Sequence, residues 1–182
     1  MIGNEPSMTG SEHRRPKTGT DFRWLTDREQ RAWRAYLVAT ARLQEVLDRD
    51  LQAQSGMPHT YYMILAMLSE APENGIRMSE LAEVLKSSVS RLSHAVRKLE
   101  EAGWIRRDAD PTDGRVSYAC LTDEGLRVLK AAAPGHVTTV VDNVFDRLTD
   151  EQVEQLFQIS SAILGAVAPD SDPSDILRPR AS

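Results

Sequence analysis

The sequence predicts a mainly α-helical chain that carries a single small β-hairpin. Three observations support this reading. Apolar residues recur at three- and four-residue steps along most of the chain, the period of a helix with one buried face. Only "WIRRDAD" (104–110) and "RVSYACLT" (115–122) alternate with the two-residue period of a strand. The tripeptide Leu-Thr-Asp occurs at 25–27, 121–123 and 148–150, each time where a helix would begin. In that setting the Thr hydroxyl accepts from an orphan backbone N–H, and the Asp sits in the favourable field of the first turn.

Residues 1–20, rich in Gly, Pro, Ser, Thr and charge, are predicted to be a disordered tail, and so is the proline-bearing segment 169–182. A first helix is expected from about 27 to 54, started by a capping box of Thr26 and Glu29. Its stripe of Trp33, Tyr36, Leu37, Thr40, Leu43, Leu47 and Leu51 could face a partner. Gly56 and Pro58 punctuate it. A second helix, about 58–70, is apolar nearly all round ("YYMILAML") and therefore buried, and "APENG" ends it in a turn.

A short helix, "SELAEVL", follows with Ser79 as its expected cap. After the linker "KSS" comes "SVSRLSHAVRKLEEA", a helix reaching about Ala102. Val89, Leu92, Val96 and Leu99 share one face of it, while Ser90, Arg91, His94, Arg97 and Lys98 lie away from that face. Gly103 is placed to end it. Two short helices joined by a tight polar turn, the second basic on its outward side, form a helix-turn-helix arrangement. The hairpin comes next, connected through Pro-Thr-Asp-Gly. Thr122 starts a long helix in which Pro134 is expected to cause a kink or break, because an interior proline costs about 3 kcal/mol. A last helix spans about 150–167 behind a second capping box, Thr149 with Gln152.

Composition excludes several classes. At 41% apolar and 27% charged residues the profile is that of a soluble globular chain. A single cysteine, Cys120, rules out an intrachain disulfide and suits a reducing cytosol. The first twenty residues contain no apolar signal core, and the longest apolar run, 61–68, is too short to span a membrane, so a cytoplasmic protein is expected. The net charge is −5, yet Lys86 to Arg107 holds six bases against Glu100 and Glu101, a local excess of +4. A basic stripe on an acidic body suits a protein that touches phosphates with one face, although such a window is also an ordinary solvated helix face.

The acidic stretch "DADPTDGR" (108–115) could belong to a metal loop or to a hairpin tip. A calcium loop opening at Asp108 would need an oxygen ligand at its fifth position, Gly at its sixth and Glu at its twelfth. Those positions hold Thr112, Asp113 and Ala119, so no metal is expected. The histidines at 13, 59, 94 and 136 have no ligand spacing, and no phosphate loop, zinc motif or nucleophile elbow is present. Neither an enzyme nor a cofactor is expected.

The stretch "RMSELAEVLKSSVSRLSHAVRKLEEAGWIRR", then Asp110-Pro111-Thr112-Asp113-Gly114-Arg115, then Leu121-Thr122-Asp123-Glu124-Gly125, resembles the winged helix-turn-helix of the MarR family of bacterial transcription regulators. The wing pattern Asp-Pro-x-Asp-x-Arg followed by Leu-Thr-x-x-Gly is present in full, and with the flanking helices the resemblance covers roughly 26–167. It implies a winged helix-turn-helix DNA-binding domain over 58–122 and a helical dimerisation region formed by 21–57 and 123–168. It also implies a homodimer that binds double-stranded DNA at a pseudo-palindromic operator. It points to a repressor, released when a small aromatic or anionic effector changes the spacing of its recognition helices.

On that resemblance Ser90, Arg91 and His94 are candidates for base edges, and Ser87 and Ser88 for phosphate. One of the two serines is needed as a helix cap in any case, and His94 could be a plain surface residue. Arg97 and Lys98 would meet DNA backbone or solvent. In the wing, Asp113, Gly114 and Arg115 form the tip, with the Arg115 guanidinium in the minor groove, Asp113 pairing with it, and Asp108 and Asp110 fixing the turn. Trp33, Tyr36, Tyr61 and Tyr62 are the candidates for an effector pocket, with an ordinary core role as the alternative for each. Two further readings stay open: an adaptor whose winged domain binds protein, and a thiol redox sensor at Cys120, which would need an accessible thiolate of low pKa.

Overall fold

The computed structural model describes residues 22–72, 75–85, 89–110, 112–113 and 116–168. Both segments expected as disordered tails lie outside these residues. The described elements run α1 (Asp27–Ser55), α2 (His59–Ser69), β1 (Ile76–Arg77), α3 (Met78–Val84), α4 (Val89–Glu101), β2 (Ile105–Ala109), β3 (Ser117–Leu121), α5 (Asp123–Asn143), a 3-10 turn (Phe145–Arg147) and α6 (Asp150–Val167). The fold is therefore mainly helical with a small antiparallel sheet. No described helix is long and apolar enough to cross a membrane.

The chain divides into two compact units, residues 1–38 and 39–182, with the division falling inside α1. In the first unit the expected capping box is present. Thr26 N donates to Glu29 Oε2 at 2.9 Å, and Glu29 N donates back to Thr26 Oγ1 at 3.3 Å. Arg23 forks onto the same carboxylate at 2.7 and 2.8 Å, and this pairing, ahead of the Thr26 bond, holds Glu29 down at about 2. Trp33 and Tyr36 stack with ring centroids 6.1 Å apart, and both stay about half exposed.

In the second unit the core gathers around α2, whose Ile64 and Leu65 are fully buried among Leu81, Leu92, Val96, Leu99, Ile105 and Leu129. The Asp48 carboxylate of α1 accepts from the His59 backbone N–H at 2.9 Å and so caps α2, because Pro58 has no side-chain oxygen to offer. Gly103 ends α4 with φ +76°: its N–H bonds the Glu100 carbonyl while the Trp104 N–H reaches back to Leu99. These are the two bonds of a left-handed helix stop. In the sheet β3 is central, with Ile105 opposite Leu121, Ala109 opposite Ser117, and β1 on its other edge through Ile76–Ala119 and Arg77–Tyr118.

Three expectations need correction. β1 was not foreseen: a two-residue strand has no period to read. It depends on Gly75, at φ +79°, where a Cβ would sit 2.2 Å from the Ala119 carbonyl oxygen. Because the chain passes straight from β1 into α3, Arg77 occupies the cap position without a side-chain bond to the helix end, and Ser79 is the second helical residue rather than the cap. α5 also continues through Pro134, so the helix is not broken there. The missing N–H forfeits one bond, to the Lys130 carbonyl, while buried Leu129, Ala132 and Thr139 anchor the helix on both sides of it. Packing outweighs the local penalty.

α6 begins with its expected capping box, Thr149 with Gln152. None of its residues is buried, and Phe157, Ile159 and Val167 are 51%, 56% and 70% exposed.

Candidate nucleic-acid interface

α4 is amphipathic in the way its sequence spacing requires. Leu92, Ala95, Val96 and Leu99 are buried in the core, while Ser90, Arg91, His94, Arg97 and Lys98 are exposed. Five of the candidates thus share one outward surface. Ser87 and Ser88 lie outside the described residues, as do Gly114 and Arg115 of the wing. Asp113 is described and exposed.

Ser90, His94 and Arg97 line a shallow groove of about 350 Å³ together with Ser93 and Arg107. The sequence reading did not assign the last two to the site. The available signal was position: Arg107 closes the basic stripe, and the Gly103 stop turns β2 back so that it runs beside α4.

Four cations of the stripe, Arg97, Lys98, Arg106 and Arg107, are held by neighbouring acids. Lys98 Nζ is 2.8 Å and Arg97 Nε 3.7 Å from the two oxygens of Glu101, whose carboxyl is lowered chiefly by the Lys98 hydrogen bond. Arg107 donates to Glu100 Oε2 through Nη2 at 2.6 Å and through Nε at 2.8 Å. Arg106 pairs with Asp108 at 2.9 Å. All of these pairs are solvent-accessible and screened by water, so they contribute little to stability.

In the hairpin, Asp110 organises the turn. Its Oδ1 accepts from Thr112 N at 2.8 Å, Thr112 Oγ1 at 2.6 Å and Asp113 N at 3.2 Å, bonds led by the Thr112 hydroxyl that hold the carboxyl at about 2. The ladder closes around it, with Asp110 N donating to Val116 O and Val116 N to Asp113 O, each at 2.9 Å. Asp108 does something other than fix the turn: besides Arg106, it accepts from the Cys120 thiol at 3.3 Å. Cys120 is buried at 2% exposure. Burial first, and Asp108 second, push its thiol up, away from the accessible thiolate that a redox sensor requires. Among the described residues no three His, Cys, Asp or Glu side chains gather as a metal site.

The four aromatic candidates divide between the units. Trp33 and Tyr36 form their exposed stack in the first. In the second, Tyr61 is half-buried against the core, and Tyr62 is buried with its ring 4.2 Å from that of His136. A separate groove of about 530 Å³ runs along α2 and α4, lined by Gln44, His59, Thr60, Met63, Val84, Leu85, Arg91 and Leu92.

Known proteins match this chain along most of its length. A family model described as MarR family matches residues 55–116. The transcriptional regulator HosA of Escherichia coli O111:H- is 31% identical over 106 residues, which span 58% of this chain and 76% of HosA. The crystal structure of Sco3205, a MarR family transcriptional regulator from Streptomyces coelicolor in complex with DNA, superposes with a TM-score of 0.78 at 48% identity, covering 83% of this chain and 94% of that one. AbsC, a MarR family regulator of the same organism, gives 0.71 at 38% identity over 82% and 97% of the two chains. With an outward cationic helix followed by an acid-braced hairpin, and this likeness at both levels, the protein belongs to the MarR family: it is a DNA-binding transcription regulator, not an enzyme.

Proposed function

We propose that the protein is a homodimeric repressor of a pseudo-palindromic operator, released by a small effector. The observation that carries the reading is the division of α4, whose apolar side is sealed in the core while Ser90, Arg91 and His94 project outward. An exposed helix face of this kind suits a major groove, where arginine bonds guanine in bidentate fashion. Sco3205 was crystallised with DNA, which supports duplex DNA as the ligand here. Ser87, Ser88, Arg97 and Lys98 would meet phosphates, and Arg115, beside Asp113 and Gly114, the minor groove.

A second copy of the chain accounts for the uncovered apolar surfaces. Residues 22–38 expose Phe22, Trp24, Trp33 and Tyr36 and carry four arginines against two acids, whereas α6 exposes Phe157, Ile159 and Ile163 and has three acids and no base. The two surfaces are complementary in charge and alike in hydrophobicity, as a two-fold interface requires. The dimerisation region would then comprise 21–57 and 123–168, and the DNA-binding domain 58–122. For the effector, the groove beside α4 is the better-placed site, because a ligand there takes Arg91 as a wall and competes with DNA for it. Trp33 and Tyr36, in the first unit, separately offer an aromatic effector a stacking face, and Tyr61 and Tyr62, in the second, would support the groove from the core side.

Replacing Arg91 tests the assignment. Arg91→Ala should weaken binding to the operator by about 10- to 100-fold while leaving random duplex nearly untouched, since one bidentate pair discriminates by about 1–3 kcal/mol. Equal losses on both DNAs would make Arg91 a phosphate contact and overturn its assignment to a base edge.

A further inference from the structure

Tyr118 stands at the centre of a hydrogen-bonded chain between β1 and the hairpin turn. It lies directly across β1–β3 from Arg77, the residue at which β1 turns into α3. Arg77 Nε donates to the Tyr118 hydroxyl at 3.0 Å, and its guanidinium carbon is 5.7 Å from the ring centroid. The hydroxyl in turn donates to Asp110 Oδ2 at 3.3 Å. The other oxygen of Asp110 is the one that holds Thr112 and Asp113. One phenol therefore links the start of the helix-turn-helix to the carboxylate that shapes the wing turn, over 41 residues of sequence on one side and eight on the other.

We propose that Arg77, Tyr118 and Asp110 form a relay that sets the angle of the wing against the helix-turn-helix, which makes Tyr118 a positioning residue for DNA binding. The inference rests on the wing being a DNA contact. The arrangement suits the role chemically. A carboxylate already carrying three donors on Oδ1 would swing about its Cβ–Cγ bond if Oδ2 had no partner. The hydroxyl supplies that partner and is itself oriented by a guanidinium, and a chain of hydrogen bonds polarised by a charge at each end is stronger than its links taken singly. Removing the hydroxyl leaves the ring and the β1–β3 pairing in place, so the turn loses its brace without the sheet losing its packing.

Dimethyl sulfate footprinting on a bound operator separates the two grooves, because the reagent methylates guanine N7 in the major groove and adenine N3 in the minor groove. Tyr118→Phe should raise the operator Kd about tenfold, lose protection at adenine N3 and keep it at guanine N7. Asp110→Asn should give the same footprint, and the double variant should be no weaker than the weaker single. Unchanged adenine protection in Tyr118→Phe, or loss of both protections together, overturns the relay. Arg115→Ala serves as the control. If it retains adenine protection, the wing is not a minor-groove contact and the underlying reading fails, separately from any result with Tyr118.

Discussion

Thr122 joins three elements through one hydroxyl, and its replacement by valine has a calculable effect. The hydroxyl accepts from Gly125 N at 3.0 Å and thereby caps α5. It also donates to the carbonyls of Gly103, at 2.7 Å, and Trp104, at 3.0 Å, which ties the end of α4 and the start of β2 to the same point. Losing an N-cap costs about 1 kcal/mol, and losing a donor to a partly buried carbonyl about 1 kcal/mol more. Thr122→Val should therefore destabilise the protein by about 2 kcal/mol, which for a chain of this size lowers Tm by roughly 4–8 °C. Thr122→Ser keeps the oxygen and should stay within about 0.5 kcal/mol of the parent. Thermal melts of all three proteins at one fixed concentration decide the matter, since an associating chain melts higher as concentration rises. If the valine variant melts with the serine variant, the hydroxyl does not hold the junction.

Two other perturbations follow from the same geometry. Gly75→Ala should cost clearly more than Gly103→Ala in urea unfolding, although both glycines have φ near +77°. The new methyl at 75 meets the Ala119 carbonyl at 2.2 Å, whereas the one at 103 meets nothing within 4 Å; equal costs would mean that backbone conformation alone matters there. Stability should also fall in mild acid. His59 and His136 stack 5.4 Å apart, and His59 Nε2 and His136 Nδ1 are buried without a hydrogen-bond partner among the described residues. Burial pushes both imidazoles down, opposed for His59 by Asp48 and reinforced for His136 by His59, with neutral Tyr62 the other ring in the cluster. The unfolded chain then takes up protons below about pH 6.5 that the folded one refuses, so stability is constant above that value and declines as pH drops towards the folded values. His136→Gln should flatten the decline, and an unchanged pH profile in that variant would clear the pair of responsibility.

The helix ends were the most legible part of the chain, because caps are local chemistry. Thr26, Thr149 and Gly103 each announce a boundary within four residues of themselves, and the structure places the boundaries there. The buried side of α4 was legible too, since Leu92, Val96 and Leu99 keep the helical period. What stayed hidden depended on distant parts of the chain. β1 exists only because Gly75 fits against Ala119, and α5 survives Pro134 because residues on either side of it are buried. In the site, the sequence counted the six bases correctly but not their partners. The Arg107–Glu100 pair spans a helix, a left-handed stop and a strand, and no spacing rule reaches across all three. The roles of Asp108 and Asp110 separate for a similar reason: the turn encloses Asp110, whereas strand pairing leaves Asp108 beside Arg106 and Cys120.

The placement of those acids explains how a chain of net charge −5 can present a face to DNA. From Val89 to Leu99 the sequence contains no acid, so the first three turns of α4, with Ser90, Arg91 and His94, carry no carboxylate of their own. Glu100 and Glu101 stand at the far end of the helix, where they hold Arg97, Lys98 and Arg107 in surface pairs. Such pairs are weak enough to open against a phosphate, whose neutralisation also releases condensed counterions. Until then they keep three long side chains ordered and mute their attraction for arbitrary polyanions. The carboxylates of α4 thus gather at its C-terminal end, beside the residues proposed to meet phosphate. On the proposed assignment, a uniformly basic helix would hold any duplex, whereas this one would bind firmly only where its first turns also meet base edges.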